Sequence, residues 1–377
     1  MASSSRPKVV HVVVAGAIGG AEHLLVDLAG RPELSGADHC LALMTPNPRL
    51  RALFCDAGLR VRDRGPVHEN PLAYLWRSYG PADLAWLGRV IEEERADMIH
   101  AHTFGSHVLA VRAGLQRKLP VLRTEHGVRH YRDPSCALFR HWALRHTDRV
   151  VAVSGFVART VAAVAPHARE KIEVILNGID LSRFTPMPPP AQGPFTIAAV
   201  CRVVPFKRLH VAVEALAQTE GIGLDIAGEG SQRGRLERLV HSLGLEGRVR
   251  FLGHMSDPRP VVAAAHAVVN CTREEPLGLS VIEGAAMQRP AIAFAAGGIP
   301  EIVEDGRSGW LAREDSSDCL AAAMREAAAS PERAAAFGVR ARTVVESKFG
   351  IEDMCRRYAV VYGELVQGRA ARPCSTM

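Results

Sequence analysis

Two glutamates stand eight residues apart in Glu275-Pro-Leu-Gly-Leu-Ser-Val-Ile-Glu283, the first on a turn and the second where a helical pattern opens. A turn that feeds a helix exposes backbone N–H groups, and that geometry binds phosphate. The same residues also read structurally, with Ser280-x-x-Glu283 as a capping box and Glu275 as a solvated loop charge. Spacing alone leaves both readings open.

A second set of charges narrows the choice. Arg202 and Lys207, in Cys201-Arg-Val-Val-Pro-Phe-Lys207, directly follow an apolar run at residues 196–200 that reads as a strand. Both therefore project from the carboxyl end of a parallel strand, where open sheets bind ligands. An isolated Arg/Lys pair is usually a solvated surface, but this one sits a strand edge away from an anion-binding helix terminus.

The elements that must position these residues follow a repeating rhythm. Apolar runs at 9–15, 96–100, 121–124 and 149–153 alternate with helical patterns at about 21–29 and 106–116. Beyond Asn177-Gly-Ile-Asp180, five prolines in the nine residues 186–194 forbid regular structure and read as an interdomain linker. A second set follows, with strands expected at 196–200, 223–226, 249–252, 267–270 and 291–294 and helices at about 210–218, 233–243 and 280–287. Strands alternating with helices mean parallel sheet. The tail from about 331 to 367 is a long helical pattern with Met354, Tyr358, Val361 and Leu365 at helical spacing, and is expected to cross back to the first domain.

Bulk properties agree with two domains: 377 residues, 47% hydrophobic, 23% charged and only 5% aromatic. The longest apolar stretches, within 9–21 and 261–269, are too short or interrupted for a transmembrane helix. His11 and the lack of a small-residue cleavage site make the N-terminal run a first strand instead of a signal peptide, so the protein is expected in the cytoplasm. Eight scattered cysteines with no CxxC pair fit reduced thiols. Net charge of +6 and a pI near 9.0 favour acidic partners. Nucleic acid is the weakest of these, since aromatics are few, arginines dispersed and nucleic-acid-binding motifs absent. The basic amphipathic segment 139–146 suits either an interfacial helix on anionic lipid or an ordinary surface helix.

Taken in order, these motifs resemble the retaining family 4 glycosyltransferases of GT-B fold: Gly19-Gly20-Ala-Glu22, Glu125-His-Gly127, Val153-Ser154, Asn177-Gly-Ile-Asp180, the Arg202/Lys207 pair, Gly228-Glu-Gly230, Gly253, the Glu275/Glu283 motif and Gly297-Gly-Ile-Pro-Glu301. The resemblance spans nearly the whole chain. It implies two Rossmann-like domains facing across a cleft: an acceptor-binding domain at 1–187, a sugar-nucleotide-binding domain at 188–352, and a returning C-terminal helix and tail at 353–377.

It also implies roles. Arg202 and Lys207 would neutralise the departing diphosphate, an electrostatic contribution of several kcal/mol per well-aimed group. Glu275 would contact the donor sugar hydroxyls and Glu283 the ribose, with the amides of Leu277, Gly278 and Leu279 holding sugar and phosphate. Gly253, His254 and Met255 would meet the base. Gly19 and Gly20 match a glycine loop approaching the phosphate and acceptor, equally readable as a helix-start turn needing positive φ. His126 matches a histidine near the transferred sugar. Pro276 and Leu277 replace a glycine and an aromatic usual in the family, and Pro276 removes an N–H, which leaves donor identity most exposed.

The implied reaction moves sugar from a nucleotide-sugar donor, a UDP- or GDP-sugar, to a hydroxyl of a saccharide, glycolipid or small molecule. It needs no cofactor, and with no DxD motif in the chain no metal is expected. Alternatives are a natural-product glycosyltransferase, a GT-B sugar-nucleotide 2-epimerase and a non-catalytic binding module. A Rossmann dehydrogenase is disfavoured, because Gly16-Ala-Ile-Gly-Gly20 and Gly228-Glu-Gly-Ser-Gln-Arg-Gly234 miss the GxGxxG spacing.

Overall fold

The computed structural model describes residues 6–14, 18–45, 47–65 and 80–370. Gly16, Cys374 and the first five residues lie outside them. The chain forms two compact units, Met1–Asn177 with Ile351–Met377, and Gly178–Gly350.

The first unit is built on a seven-stranded parallel sheet: β1 Lys8–Val13, β2 Asp38–Leu43, β3 Arg60–Asp63, β4 Met98–Ala101, β5 Val121–Glu125, β6 Arg149–Ala152 and β7 Ile172–Val174. Their order is β3-β2-β1-β4-β5-β6-β7, so the winding direction reverses between β1 and β4. Val10, Val12, Ile99 and Val121 pack on one face with apolar residues of helices Pro81–Glu94 and Phe104–Arg117. On the other face Val9, Met98, Leu122 and Val151 meet Tyr358, Val361, Tyr362 and Leu365 of helix Ile351–Ala370.

The second unit has six parallel strands: β8 Phe195–Val200, β9 Ile222–Ala227, β10 Val249–Gly253, β11 Ala267–Asn270, β12 Ala291–Phe294 and β13 Gly309–Ala312. The order β10-β9-β8-β11-β12-β13 places its reversal between β8 and β11. Both sheets are therefore the doubly wound, Rossmann-like kind, whose ligand sites lie at the carboxyl edge of such switch points.

Two sequence expectations change. The tail is not one helix but two, Pro331–Lys348 and Ile351–Ala370, because Phe349 turns inward with no exposed surface and Gly350 bridges to Ile179. The first helix packs Ala334 and Phe337 into the second unit's core, and the second covers the first unit. The proline-rich stretch is no free linker. Fully buried Arg289 donates to the carbonyls of Met187 and Pro188 at 2.9 Å each, holding the stretch against the second unit.

The basic amphipathic segment read either as an interfacial or as an ordinary surface helix falls in helix Pro134–Arg145. Among its described side chains Ala143 and Leu144 are buried, and Phe139 and Trp142 pack against the first core. Among the described residues no helix is long and apolar enough to cross a membrane.

Candidate functional site

In the second unit, Lys207 comes from the loop after β8 and Glu275 from the loop after its neighbour β11, so the two meet at the switch point. Lys207 Nζ donates to Glu275 Oε2 at 2.6 Å, and Asn270 Nδ2, from the last residue of β11, donates to the same oxygen at 3.1 Å. Burial alone would raise the Glu275 pKa, but the Lys207 cation and the hydrogen bonds from Lys207 and Asn270 outweigh it and hold the carboxyl below its ordinary range. Arg202 is exposed beside them. The Phe206 ring has the Arg202 guanidinium carbon 5.6 Å and Lys207 Nζ 5.5 Å from its centroid.

Glycines fix this arrangement by close approach. A Cβ on Gly228 would lie 1.9 Å from Cys201 O, and one on Gly230 2.3 Å from Val203 O. The Gly228-Glu-Gly230 loop is thus pressed onto the backbone that carries Arg202, and Val203 N donates to Glu229 O at 2.9 Å. Gly297, at φ +63°, and Gly298 buttress the other wall: a Cβ on Gly297 would lie 2.3 Å from Glu275 O, and Gly298 N donates to that oxygen at 2.8 Å.

Helix Leu279–Ala286 begins at Gly278, left-handed at φ +111°. Ser280 therefore lies inside the helix, and the capping-box reading of Ser280 and Glu283 does not hold, since the cap position belongs to a residue without a side chain. Glu283 is half-buried on this helix, Leu277 packs inward, and the amides of Gly278 and Leu279 fall at the helix start. Gly253 closes β10 at φ +75°, with exposed His254 and Met255 beyond it. They stand at the carboxyl edge but two strands from β8, and among the described residues no hydrogen bond or ion pair joins them to the Lys207/Glu275 pair.

In the first unit, Gly19 follows β1 and caps helix Gly20–Ala29. Its φ of −156° is extended backbone, so the expected need for positive φ is not realised. Gly19 N instead donates to Glu22 Oε2 at 2.8 Å, and an added Cβ would meet that oxygen at an ordinary 3.5 Å. His126 follows β5. Its Nε2 bonds His102 Nδ1 at 3.2 Å, its Nδ1 is buried with no hydrogen-bond partner among the described residues, and burial and then the Arg123 cation push its pKa down to about 3.

Sequence reasoning missed three things here. Asn270 holds Glu275, a role signalled only by an amide residue at a strand's carboxyl end. Arg123 and Glu125 form an ion pair at 3.0 Å with 1% and 2% exposure, and Tyr131 OH donates to Glu125 at 2.9 Å. Finally, His11, His39, His100 and His102 gather beside His126. One ring nitrogen from each of His11, His100 and His102 lies within 4.8 Å of the others, a spacing that can hold a metal ion. All six ring nitrogens of these three, however, already bond His39, His126, Thr124, Tyr362 or one another.

Comparison with known proteins adds the relatives. The family described as Glycosyltransferase Family 4 matches residues 18–183, and that described as Glycosyl transferases group 1 matches 186–344. A protein of Escherichia coli K12 named for colanic acid biosynthesis, WcaL, is 31% identical over 301 residues, 72% of this chain and 71% of that one. The lipopolysaccharide core biosynthesis glycosyltransferase LpsE of Rhizobium meliloti is 27% identical over 219 residues, 57% of this chain and 64% of that one. Among solved structures, Anabaena HepE in complex with UDP-glucose superposes with a TM-score of 0.83 at 23% identity, over 95% of this chain and 99% of that one. Sucrose-phosphate synthase of Thermosynechococcus elongatus gives 0.83 at 21% identity, over 96% and 100%. At such identities the likeness speaks for the fold.

Proposed function

The chain belongs to the family 4 glycosyltransferases of GT-B fold, and on that premise we propose that it is a retaining, metal-independent enzyme that moves a sugar from a UDP- or GDP-sugar to a hydroxyl acceptor in cell-surface glycan or glycolipid assembly. The observation that carries this reading is the Lys207–Glu275 pair at the β8/β11 switch point with exposed Arg202 beside it. Two cations at one sheet edge suit a diphosphate whose charge grows as the sugar leaves, which is where such groups lower a barrier. They supply the compensation that a divalent ion supplies elsewhere, which supports a reaction without metal.

Glu275 is held ionised and can accept hydrogen bonds from sugar hydroxyls, while Gly278 and Leu279 offer N–H groups at a helix start. His126 is proposed to face the transferred sugar, and Gly253, His254 and Met255 the base. Retention then follows if the acceptor oxygen bonds to the anomeric carbon on the face the diphosphate leaves, the departing phosphate oxygen taking the hydroxyl proton. No protein nucleophile is required. The names of WcaL and LpsE support a polysaccharide or lipopolysaccharide acceptor, and a glycolipid would bring this +6 chain to an anionic surface.

A panel of UDP- and GDP-sugars scored by thermal shift, with EDTA present, tests the reading. A donor at 100 times its Kd adds about 2.7 kcal/mol. The expected result is a shift with one sugar nucleotide that persists in EDTA, followed by a product of unchanged anomeric configuration. No shift across the panel, an inverted product, or epimerisation of donor alone would overturn it.

A further inference from the structure

Behind His126 the first unit buries a run of imidazoles joined end to end. Ser35 Oγ bonds His39 Nε2 at 2.7 Å, His39 Nδ1 bonds His11 Nε2 at 2.8 Å, His11 Nδ1 bonds His102 Nε2 at 2.9 Å, and His102 Nδ1 bonds His126 Nε2 at 3.2 Å. Every ring-to-ring link joins an Nδ1 to an Nε2 in the same sense. Burial keeps the rings neutral: His39 is lowered to about 4, and His11 and His102 well below their ordinary value.

A neutral imidazole carries one N–H and one lone pair. Each link consumes one of each, so all four rings must share a single tautomer, and the ends of the run decide which. Ser35 has one hydroxyl proton, and its Oγ donates to Arg31 O at 3.1 Å, leaving oxygen lone pairs to accept from His39 Nε2–H. At the other end His126 Nδ1 has no hydrogen-bond partner among the described residues, so it sets no competing demand on the run.

We propose that Ser35, His39, His11 and His102 are positioning residues that lock His126 in the Nε2–H tautomer, so that its buried, unpartnered Nδ1 meets the ligand as a hydrogen-bond acceptor and selects a hydroxyl there. That the hydroxyl belongs to a sugar rests on the function proposed above; the tautomer does not.

Long-range proton–nitrogen correlation on the ligand-free, 15N-histidine-labelled full chain reads this directly, with His126→Asn identifying the ring. The expected wild-type signature is a protonated Nε2 and a bare Nδ1. Ser35→Ala, which removes the terminal acceptor, should move both nitrogens toward the position averaged between tautomers, and His39→Gln should do the same by cutting the run at another ring. A protonated Nδ1 in the wild type, or His126 signals unmoved in both variants, would overturn the proposal. So would about one equivalent of zinc in the purified protein, with the ring signals changing on chelation. The expected signature in a protein that binds no sugar nucleotide would instead overturn the proposed function and leave the tautomer assignment standing.

Discussion

Lys207 and Glu275 are picked out in the sequence by their places after strand-like runs and by the family resemblance, yet that they pair with each other is not written there. Glu275 is 7% exposed, and an ionised carboxylate there depends on its cation. Arg202→Ala removes an exposed group, so transfer should fall on the order of 10²–10³-fold with the melting temperature unchanged, as measured by turnover and calorimetry. Lys207→Met should also cost about 1–3 kcal/mol of stability at pH 7. In the wild type the Glu275 pKa is depressed below 4.5, so its contribution is present above that pH and lost as pH falls through the folded value. Without Lys207, burial acts with less opposition and raises that pKa. The gap between variant and wild type should therefore be widest at neutral pH and narrow as pH falls through the two folded values, so urea titrations should give a smaller difference at pH 4 than at pH 7. Asn270 and the histidines escaped notice because a polar residue in an apolar strand has no spacing signature; only pairing such as His11 beside His100 gives it a partner.

Among elements, strands and helices around the second switch point were readable because each glycine turn falls between periodic runs. What spacing could not supply was which residue caps a helix. Ser280 has the chemistry of a cap, but Gly278 takes the place because the chain must turn left-handed there, between Glu275 and Ile299. Gly297 shows the same priority of backbone over side chain. Gly297→Ala would put a methyl group at φ +63° against Glu275 O, costing about 1–3 kcal/mol. Because that contact moves the Glu275 loop, the variant should also bind its sugar nucleotide at least tenfold more weakly. Calorimetric unfolding and titration of the donor would measure both, and unchanged affinity would mean that the loop is not set from this side. The break in the tail was hidden for a related reason: apolar periodicity runs through Phe349, and only a partner strand segment at Ile179 makes Gly350 a junction.

For the molecule as a whole, two alternating sets of strands were enough to expect two Rossmann-like units, and the apolar spacing of Met354, Tyr358, Val361 and Leu365 was enough to expect a returning helix. Its polar side was not foreseen: Tyr362 OH bonds His100 Nδ1 at 3.0 Å, and Tyr358 OH bonds Thr124 Oγ1 at 2.9 Å. A chain ended after Gly350 would uncover Val9, Met98, Leu122 and Val151 and leave these polar groups unpaired. Its calorimetric profile should lose the first unit's cooperative transition, keep the second's, and gain dye binding to exposed apolar surface. The returning helix also bears on how the protein is made. A ribosome emits residues at ~5–20 per second, and domains generally fold in the order they emerge. Here the unit that begins first cannot be finished first, because its last structural piece is encoded after the whole of Gly178–Gly350. For on the order of ten seconds of synthesis a sheet face stands uncovered while the later unit closes. Chaperone capture and misassembly should fall in that interval, so codon choice across residues 178–350 is a lever on yield that leaves the mature protein untouched.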